Sequence, residues 1–289
     1  MCHMRISACY IVKDEACELR RSLASLRAAV DEIVVVTTAG DTDVADVAAE
    51  FGARLCDFPW QDDFSLARNY ALRQVNGDLV IFLDADEFFF HPEDVRSALM
   101  EFMRVQEDAN IIMLRLCHFV TESDETDALY EYCPRILRMP GLHYEGMIHE
   151  QPVRDDGAER IIVYGDERLA VGHTGYLRER GADKIRRNIA LLECDAQMHG
   201  RTSMHAFYLA DCYFGLKDYA RTLALSQEAL RSGAVFVGVE SKIYHQMLES
   251  MRALHYPDAE MLALAEEALA KHPALPDFYA HRGMILCGL

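Results

Sequence analysis

Apolar runs and helical stripes alternate along the first hundred residues of this chain. "RISACYIV" (5–12) is a short run rich in β-formers, and the next segment carries Leu19, Leu23, Leu26 and Val30 at helical spacing. "EIVVVTT" (32–38) is a second β-branched run, followed by a stripe through Val44, Val47, Ala48 and Phe51. After "ARLCDFPW" (53–60) the spacing predicts a helix through Phe64, Ala67, Ala71 and Val75, and "NGD" (76–78) turns the chain into "LVIFL" (79–83). Strands that alternate with helices build βαβ units and a parallel sheet covered on both faces. In such sheets ligands bind beyond the carboxyl ends of the strands. From about residue 110 the pattern shortens: "NIIMLRL" (110–116), "PRILRM" (134–139), "RIIVYG" (160–165) and "LAVGH" (169–173) read as strands between polar loops. They complete the sheet in antiparallel or mixed fashion and leave site residues on the loops.

Beyond "ERGADK" (179–184) the strand signal ends. "SMHAFYLADCYFGLKDYARTLALSQEALR" (203–231) reads as two helices joined at Gly215, and the placement of Ala210, Tyr213, Gly215, Tyr219, Ala220 and Ala229 resembles a tetratricopeptide repeat. "DYARTLALSQEAL" (218–230) has a weaker copy in "PDAEMLALAEEAL" (257–269), and a further helix is expected from Pro276. Repeats of this kind bury their apolar faces only against neighbours. The expected organisation is an α/β domain over 1–195 followed by an all-α, tetratricopeptide-like region over 196–289.

Composition narrows the functions. With 47 acids against 29 Lys and Arg the net charge is −18, which disfavours nucleic acid and anionic lipid as partners. An apolar fraction of 51% excludes general disorder. The nine cysteines are odd in number and form no CxxC pair, so neither a disulfide framework nor a thiolate zinc site is indicated. No run reaches the ~18 apolar residues of a membrane span, and the N-terminus lacks a signal-peptide core. A reducing cytoplasm is the expected location.

The chemistry concentrates in "LVIFLDADEFFFHPE" (79–93), where a buried strand runs into Asp84, Asp86 and Glu87. Crowded carboxylates raise one another's pKa unless a cation or basic group lies between them. On an extended segment Asp84 and Asp86 share a face while Ala85 points away. Two oxygen ligands so placed suit Mg²⁺ or Mn²⁺ together with substrate phosphate oxygens. A D-x-D alone also fits a solvated turn, or the nucleophile and acid of a dehalogenase-type phosphatase. The phosphatase motif wants Thr or Val where this chain has Phe88. A nucleotidyltransferase would need a Gly-rich phosphate loop after the first strand, and none follows.

Several stretches together carry a family resemblance: "ISACYIVKDE" (6–15), "EIVVVTTAGDTD" (32–43), "WQDDFSLARNYAL" (60–72), "GDLVIFLDADEFF" (77–89), "YEGMIHEQ" (144–151), "GHTGY" (172–176) and "KIRRNIALL" (184–192). In order and spacing the chain from Arg5 to about Asn188 resembles the GT-A glycosyltransferases of family 2, particularly bacterial members that carry tetratricopeptide repeats. The resemblance implies a Rossmann-like mixed sheet flanked by helices, and an enzyme that moves a sugar from a nucleotide diphosphate to an acceptor with inversion. It implies a divalent metal on Asp86, with Asp84 as helper or as a contact to ribose or phosphate, completed by His173. Arg68 would lie near the base or diphosphate, with Lys13, Asp14, Glu15, Thr37 and Ala39 lining the nucleotide pocket. Thr37 departs from the family's usual Asp, which leaves the identity of the base open. On the acceptor side the resemblance places a carboxylate in "YEGMIHEQ", with Glu150 as base and His149 orienting the loop or touching phosphate. The repeats suit a docked peptide or protein acceptor, and glycan or lipid acceptors are also found in similar enzymes. The rival reading is a degenerate GT-A domain with repeats that recruits a partner without chemistry.

Overall fold

The computed structural model describes residues 4–119, 129–174, 182–233 and 239–288. The chain forms two compact units, residues 1–179 and 180–289. Gly175 and Tyr176 of the "GHTGY" stretch lie outside the described residues.

The first unit opens with the expected alternation: β1 (Ile6–Val12), α1 (Ala16–Leu26), β2 (Glu32–Thr37), α2 (Thr42–Glu50), β3 (Arg54–Asp57), α3 (Phe64–Leu72) and β4 (Leu79–Phe82). These strands lie parallel in the order β3-β2-β1-β4. The apolar runs of β1, β2 and β4 are continuous because both faces are covered, while β3, at the edge, is only partly buried. Leu79 and Ile81 pack with Ile6, Ala8 and Tyr10, whereas Val80 and Phe82 pack with Cys9, Val34 and Val36 on the other side. At "NGD" Gly77 lies tight against β1. A Cβ there would stand 2.6 Å from Ser7 Oγ and 2.8 Å from Ser7 N, so the turn has no room for a side chain.

The sheet then turns mixed. β7 (Leu129–Arg138) runs antiparallel to β4, and β6 (Ile111–His118) antiparallel to β7. β11 (Val171–His173) lies parallel to β6, and β5 (Glu87–Phe89) closes that edge antiparallel to β11. β10 (Ile162–Tyr164) pairs with the start of β6, and β8 (Leu142–Glu145) with β9 (Gln151–Arg154) makes a separate hairpin. "PRILRM" is thus the second half of a longer strand. β5 and the β8–β9 hairpin are not among the expected elements, since segments of three or four residues take their pairing from distant partners. α4 (Val95–Val105) is also additional, although Val95, Ala98, Leu99 and Met103 make an ordinary buried helical stripe.

The second unit holds α5 (Ala182–His199), α6 (Ser203–Gly215), α7 (Tyr219–Arg231), α8 (Val239–Ala253), α9 (Asp258–Lys271) and α10 (Pro276–Cys287). A boundary after residue 195 would cut α5 in its last turn, and the contacts divide the chain at 179/180 instead. The two similar segments are α7 and α9. At equal offsets they bury Thr222 and Met261, Ser226 and Ala265, and Ala229 and Ala268, as stacked repeats require. Thr202 caps α6 in a reciprocal box with His205, and the Asp218 side chain caps α7. Among the described residues no helix is long and apolar enough to cross a membrane.

Candidate active site

β4 is buried on both faces, so its polar continuation emerges at the carboxyl edge of the sheet. There the chain turns sharply. The Glu87 backbone N–H donates to Asp84 O at 3.0 Å, and the Asp84 N–H donates to the Glu87 carboxylate at 3.1 Å. Glu87 is therefore the internal brace of its own turn and is buried.

Two arginines close on Asp84. Arg68 Nη2 donates to Oδ1 at 3.1 Å and Arg135 Nη2 to Oδ2 at 2.7 Å; Arg135 also reaches Glu87 Oε1 at 2.5 Å. Arg68 Nε donates to Glu150 Oε1. Glu150, Arg68, Asp84, Arg135 and Glu87 thus form one unbroken chain of ion pairs. Burial works to raise the Asp84 pKa, but the two guanidiniums outweigh it and hold the carboxyl well below the usual range. Glu87, sealed inside, moves the other way: burial raises it against the pull of Arg135.

Local packing explains why Arg68 can be so enclosed. Asp63 caps α3 by accepting from Leu66 N–H at 3.0 Å, and the helix aims Arg68 across the Phe82 ring, 4.5 Å from its centroid, with Tyr144 at 5.4 Å. The next residue clamps the loop that follows β8. Asn69 exchanges two hydrogen bonds with the Tyr144 backbone, at 2.8 and 2.7 Å, and Phe64 N–H donates to Met147 O. Glu150 is thereby delivered to Arg68 with Oε1 bonded, while among the described residues no bond is made to its Oε2. His149, the residue before, is exposed and holds a left-handed φ of 55°.

Beside this chain Asp86 Oδ2 faces His173 Nε2 at 3.2 Å. Burial lowers the His173 pKa, and the bond and charge of Asp86 overcome it, so the net direction is upward. Of the expected metal ligands the structure brings Asp86 and His173 together, and turns both oxygens of Asp84 to arginines. Among the described residues, clusters of three metal-capable groups occur elsewhere, at His91, Glu93 and Asp94 and at His245, Glu249 and His281.

The expected nucleotide-side residues gather at neighbouring strand ends, because Val12 is in register with Thr37. Lys13 and Asp14 are exposed after β1, with Asp14 at a φ of 55°, and Glu15 opens α1. Ala39 is exposed after β2. Thr37 itself is buried, and its Oγ1 accepts from Ala39 N–H at 3.4 Å and Gly40 N–H at 3.1 Å. The hydroxyl thus shapes its own loop, as Ser and Thr do in turns.

Three participants were not expected as site residues: Arg135, His118, whose Nδ1 lies 2.7 Å from His173 Nδ1, and Glu131, 2.7 Å from the far nitrogen of His118. A guanidinium inside the apolar strand "PRILRM" is a legible sign, because buried charge demands a partner. His118 and Glu131 carry no comparable local signal.

A mixed α/β sheet that gathers paired acids and arginines at its carboxyl edge defines the GT-A class of glycosyltransferase domain. Residues 7–149 match the family described as glycosyl transferase family 2, and this part of the chain is a family 2 glycosyltransferase domain. The SPbeta prophage-derived glycosyltransferase SunS of Bacillus subtilis is 28% identical over 196 residues, 63% of this chain and 43% of SunS. A TPR repeat-containing protein of Synechococcus elongatus is 46% identical over 83 residues, 29% of this chain and 21% of that protein. The matched part of the chain therefore spans less than half the length of either relative. Among solved structures, S. aureus TarS 1–349 aligns over 99% of this chain and 92% of its own, at 11% identity and a TM-score of 0.45. A glucosyl-3-phosphoglycerate synthase from Mycobacterium tuberculosis, in complex with Mn²⁺ and UDP, aligns over 40% of this chain and 44% of its own, at 21% identity and a TM-score of 0.34.

Proposed function

We propose that this protein is a metal-dependent, inverting glycosyltransferase that moves a sugar from a nucleotide-diphosphate sugar to an acceptor. The observation that carries this reading is the Asp86–His173 pair set beside the Glu150–Arg68–Asp84–Arg135–Glu87 chain. Even with the buried Glu87 neutral, Asp84, Asp86 and Glu150 outnumber the two guanidiniums, and a net negative cluster would repel a diphosphate unless a cation joined them. The donor pair fits one. Neighbouring ligands on an octahedral ion with bonds of 2.0–2.1 Å stand about 3 Å apart, close to the 3.2 Å between Asp86 Oδ2 and His173 Nε2. An imidazole nitrogen in the set favours Mn²⁺ over Mg²⁺. When bound, the ion supplies positive charge against the leaving nucleoside diphosphate.

The chain's own residues divide the remaining work. Asp84 spaces the two guanidiniums rather than spending its oxygens on the ion. Arg68 Nη1 and Tyr144 Oη are buried without a hydrogen-bond partner, donors that an incoming anion or water would satisfy. Arg68 also fixes Glu150 by Oε1, leaving Oε2 to take the acceptor proton, in the pattern of a base oriented by a third group. Lys13, Asp14, Glu15 and the Thr37–Ala39 loop line the nucleotide side.

Asp86→Asn tests the metal site. In the unaltered protein a nucleoside diphosphate is expected to raise the melting temperature only with Mn²⁺ present, by the equivalent of about 2.7 kcal/mol at a hundredfold excess over Kd. The variant is expected to fold normally and lose that stabilisation. Metal-independent stabilisation that persists in Asp86→Asn would refute the site.

The acceptor is proposed to be a peptide, protein or glycan docked on the repeats of α6–α10. Removing residues 180–289 should leave Mn²⁺-dependent hydrolysis of the donor intact while transfer to a large acceptor falls. Equal transfer with and without those residues would end the docking role. The scaffold reading is favoured by one observation, the inward-turned Thr37, and predicts no turnover of any nucleotide sugar.

A further inference from the structure

The Asp86–His173 pair is backed by a second pair that the proposed chemistry leaves unused. β11 and β6 run in parallel with His173 opposite His118. The two rings meet at 80°, and His173 Nδ1 lies 2.7 Å from His118 Nδ1. The far nitrogen of His118, Nε2, stands 2.7 Å from Glu131 Oε1 on β7. Glu131, His118, His173 and Asp86 therefore form a relay across three strands, from a half-exposed carboxylate through a buried ring to the candidate ligand.

We infer that His118, anchored by Glu131, is a positioning residue that fixes the tautomer and ring orientation of His173 and so sets the affinity of the site for a divalent cation. The inference rests on the metal-dependent reading above.

Hydrogen-bond bookkeeping gives the reason. An ionised carboxylate only accepts, so the proton between His118 and Glu131 belongs to His118 Nε2. In a neutral ring His118 Nδ1 is then an acceptor, and the bond to His173 requires the proton on His173 Nδ1. That leaves the lone pair of His173 Nε2 directed at Asp86 Oδ2. A proton on Nε2 would make this contact an ordinary hydrogen bond to Asp86; in the neutral tautomer set by His118, Nε2 is instead a lone-pair donor 3.2 Å from Asp86 Oδ2, so the two atoms could serve one cation as ligands. Imidazole ligands whose other nitrogen is bonded in this way are held in orientation and made more basic; losing such support costs about 10–100-fold in metal affinity. Placement in the sheet adds stiffness, since both histidines sit at paired strand ends rather than on a free loop.

Mn²⁺ binding followed by electron paramagnetic resonance, on the full chain without nucleotide, tests this apart from turnover. His118→Phe keeps the ring volume and removes both nitrogens, and is expected to weaken Mn²⁺ about 10–100-fold. His118→Asn sets a carbonyl oxygen near the position of Nδ1 and should recover most of the loss, which a packing role would not predict. Glu131→Leu, at a half-exposed position, should weaken binding about tenfold without disturbing the fold. Should His118→Phe fail to fold, Glu131→Leu decides. Unchanged affinity in the folded variants would overturn the positioning role and leave the metal site standing. No Mn²⁺ binding by the unaltered chain would overturn the metal site, and this inference with it.

Discussion

Arg68→Met is expected to lower stability by about 3 kcal/mol and to abolish binding of the nucleotide donor. Arg68 is buried between Asp84 and Glu150, and breaking a buried ion pair by removing one partner typically costs about 3–5 kcal/mol. The low end applies because the Asp84 carboxylate remains partly hydrated, at 42% exposure. Methionine fills much of the space over Phe82, so the loss reports charge rather than a cavity. Urea denaturation reads the stability, and nucleotide titration with Mn²⁺ reads the binding. A variant as stable as the parent would mean that the ion-pair chain is held by the surrounding fold and not by its charges.

Glu150→Gln is expected to reduce sugar transfer by ~10² or more while leaving donor and metal binding in place, the usual scale for a general base. The amide oxygen can still accept from Arg68 Nε, so the loop clamped by Asn69 should not move. What disappears is the basic oxygen that the Arg68 contact leaves free. His149 is the internal control: exposed, and with a left-handed φ of its own, it should tolerate Gln with a far smaller loss. Near-normal transfer by Glu150→Gln together with collapse in His149→Gln would reverse the two roles.

The parts of this molecule that were legible in the sequence are those with local causes. The parallel strands β1, β2 and β4 announced themselves as unbroken apolar runs, because a two-face-covered strand needs nothing else. Asp84 and Asp86 followed from their position at the end of such a run, and Arg68 from the stretch that resembles the family. In the second unit α6, α7, α9 and α10 were readable from the repeat-like pattern and the recurrence of α7 in α9, whereas α5 and α8 were not among the expected helices.

The less legible parts depend on register between distant segments. Arg135 meets Asp84 only because β7 pairs with β4, and the chain separation of the two residues gives no hint of it. β5 exists because β11 returns beside it, and the β8–β9 hairpin because four residues find four others. Thr37 was legible as a departure, but its inward hydrogen bonds to Ala39 and Gly40 depend on the loop conformation. Asp84 illustrates the same limit. Its residue type and position suggest a metal ligand, while the two guanidiniums that claim its oxygens come from α3 and β7.

Metal-dependent glycosyl transfer is tested most directly by release of nucleoside diphosphate from a panel of nucleotide sugars, followed with Mn²⁺ and again after chelation. Release from at least one donor is expected, stopping on chelation and returning when Mn²⁺ is restored. Release that continues undiminished in chelator would contradict the Asp86–His173 metal site; no release from any donor with Mn²⁺ bound would contradict the transferase itself.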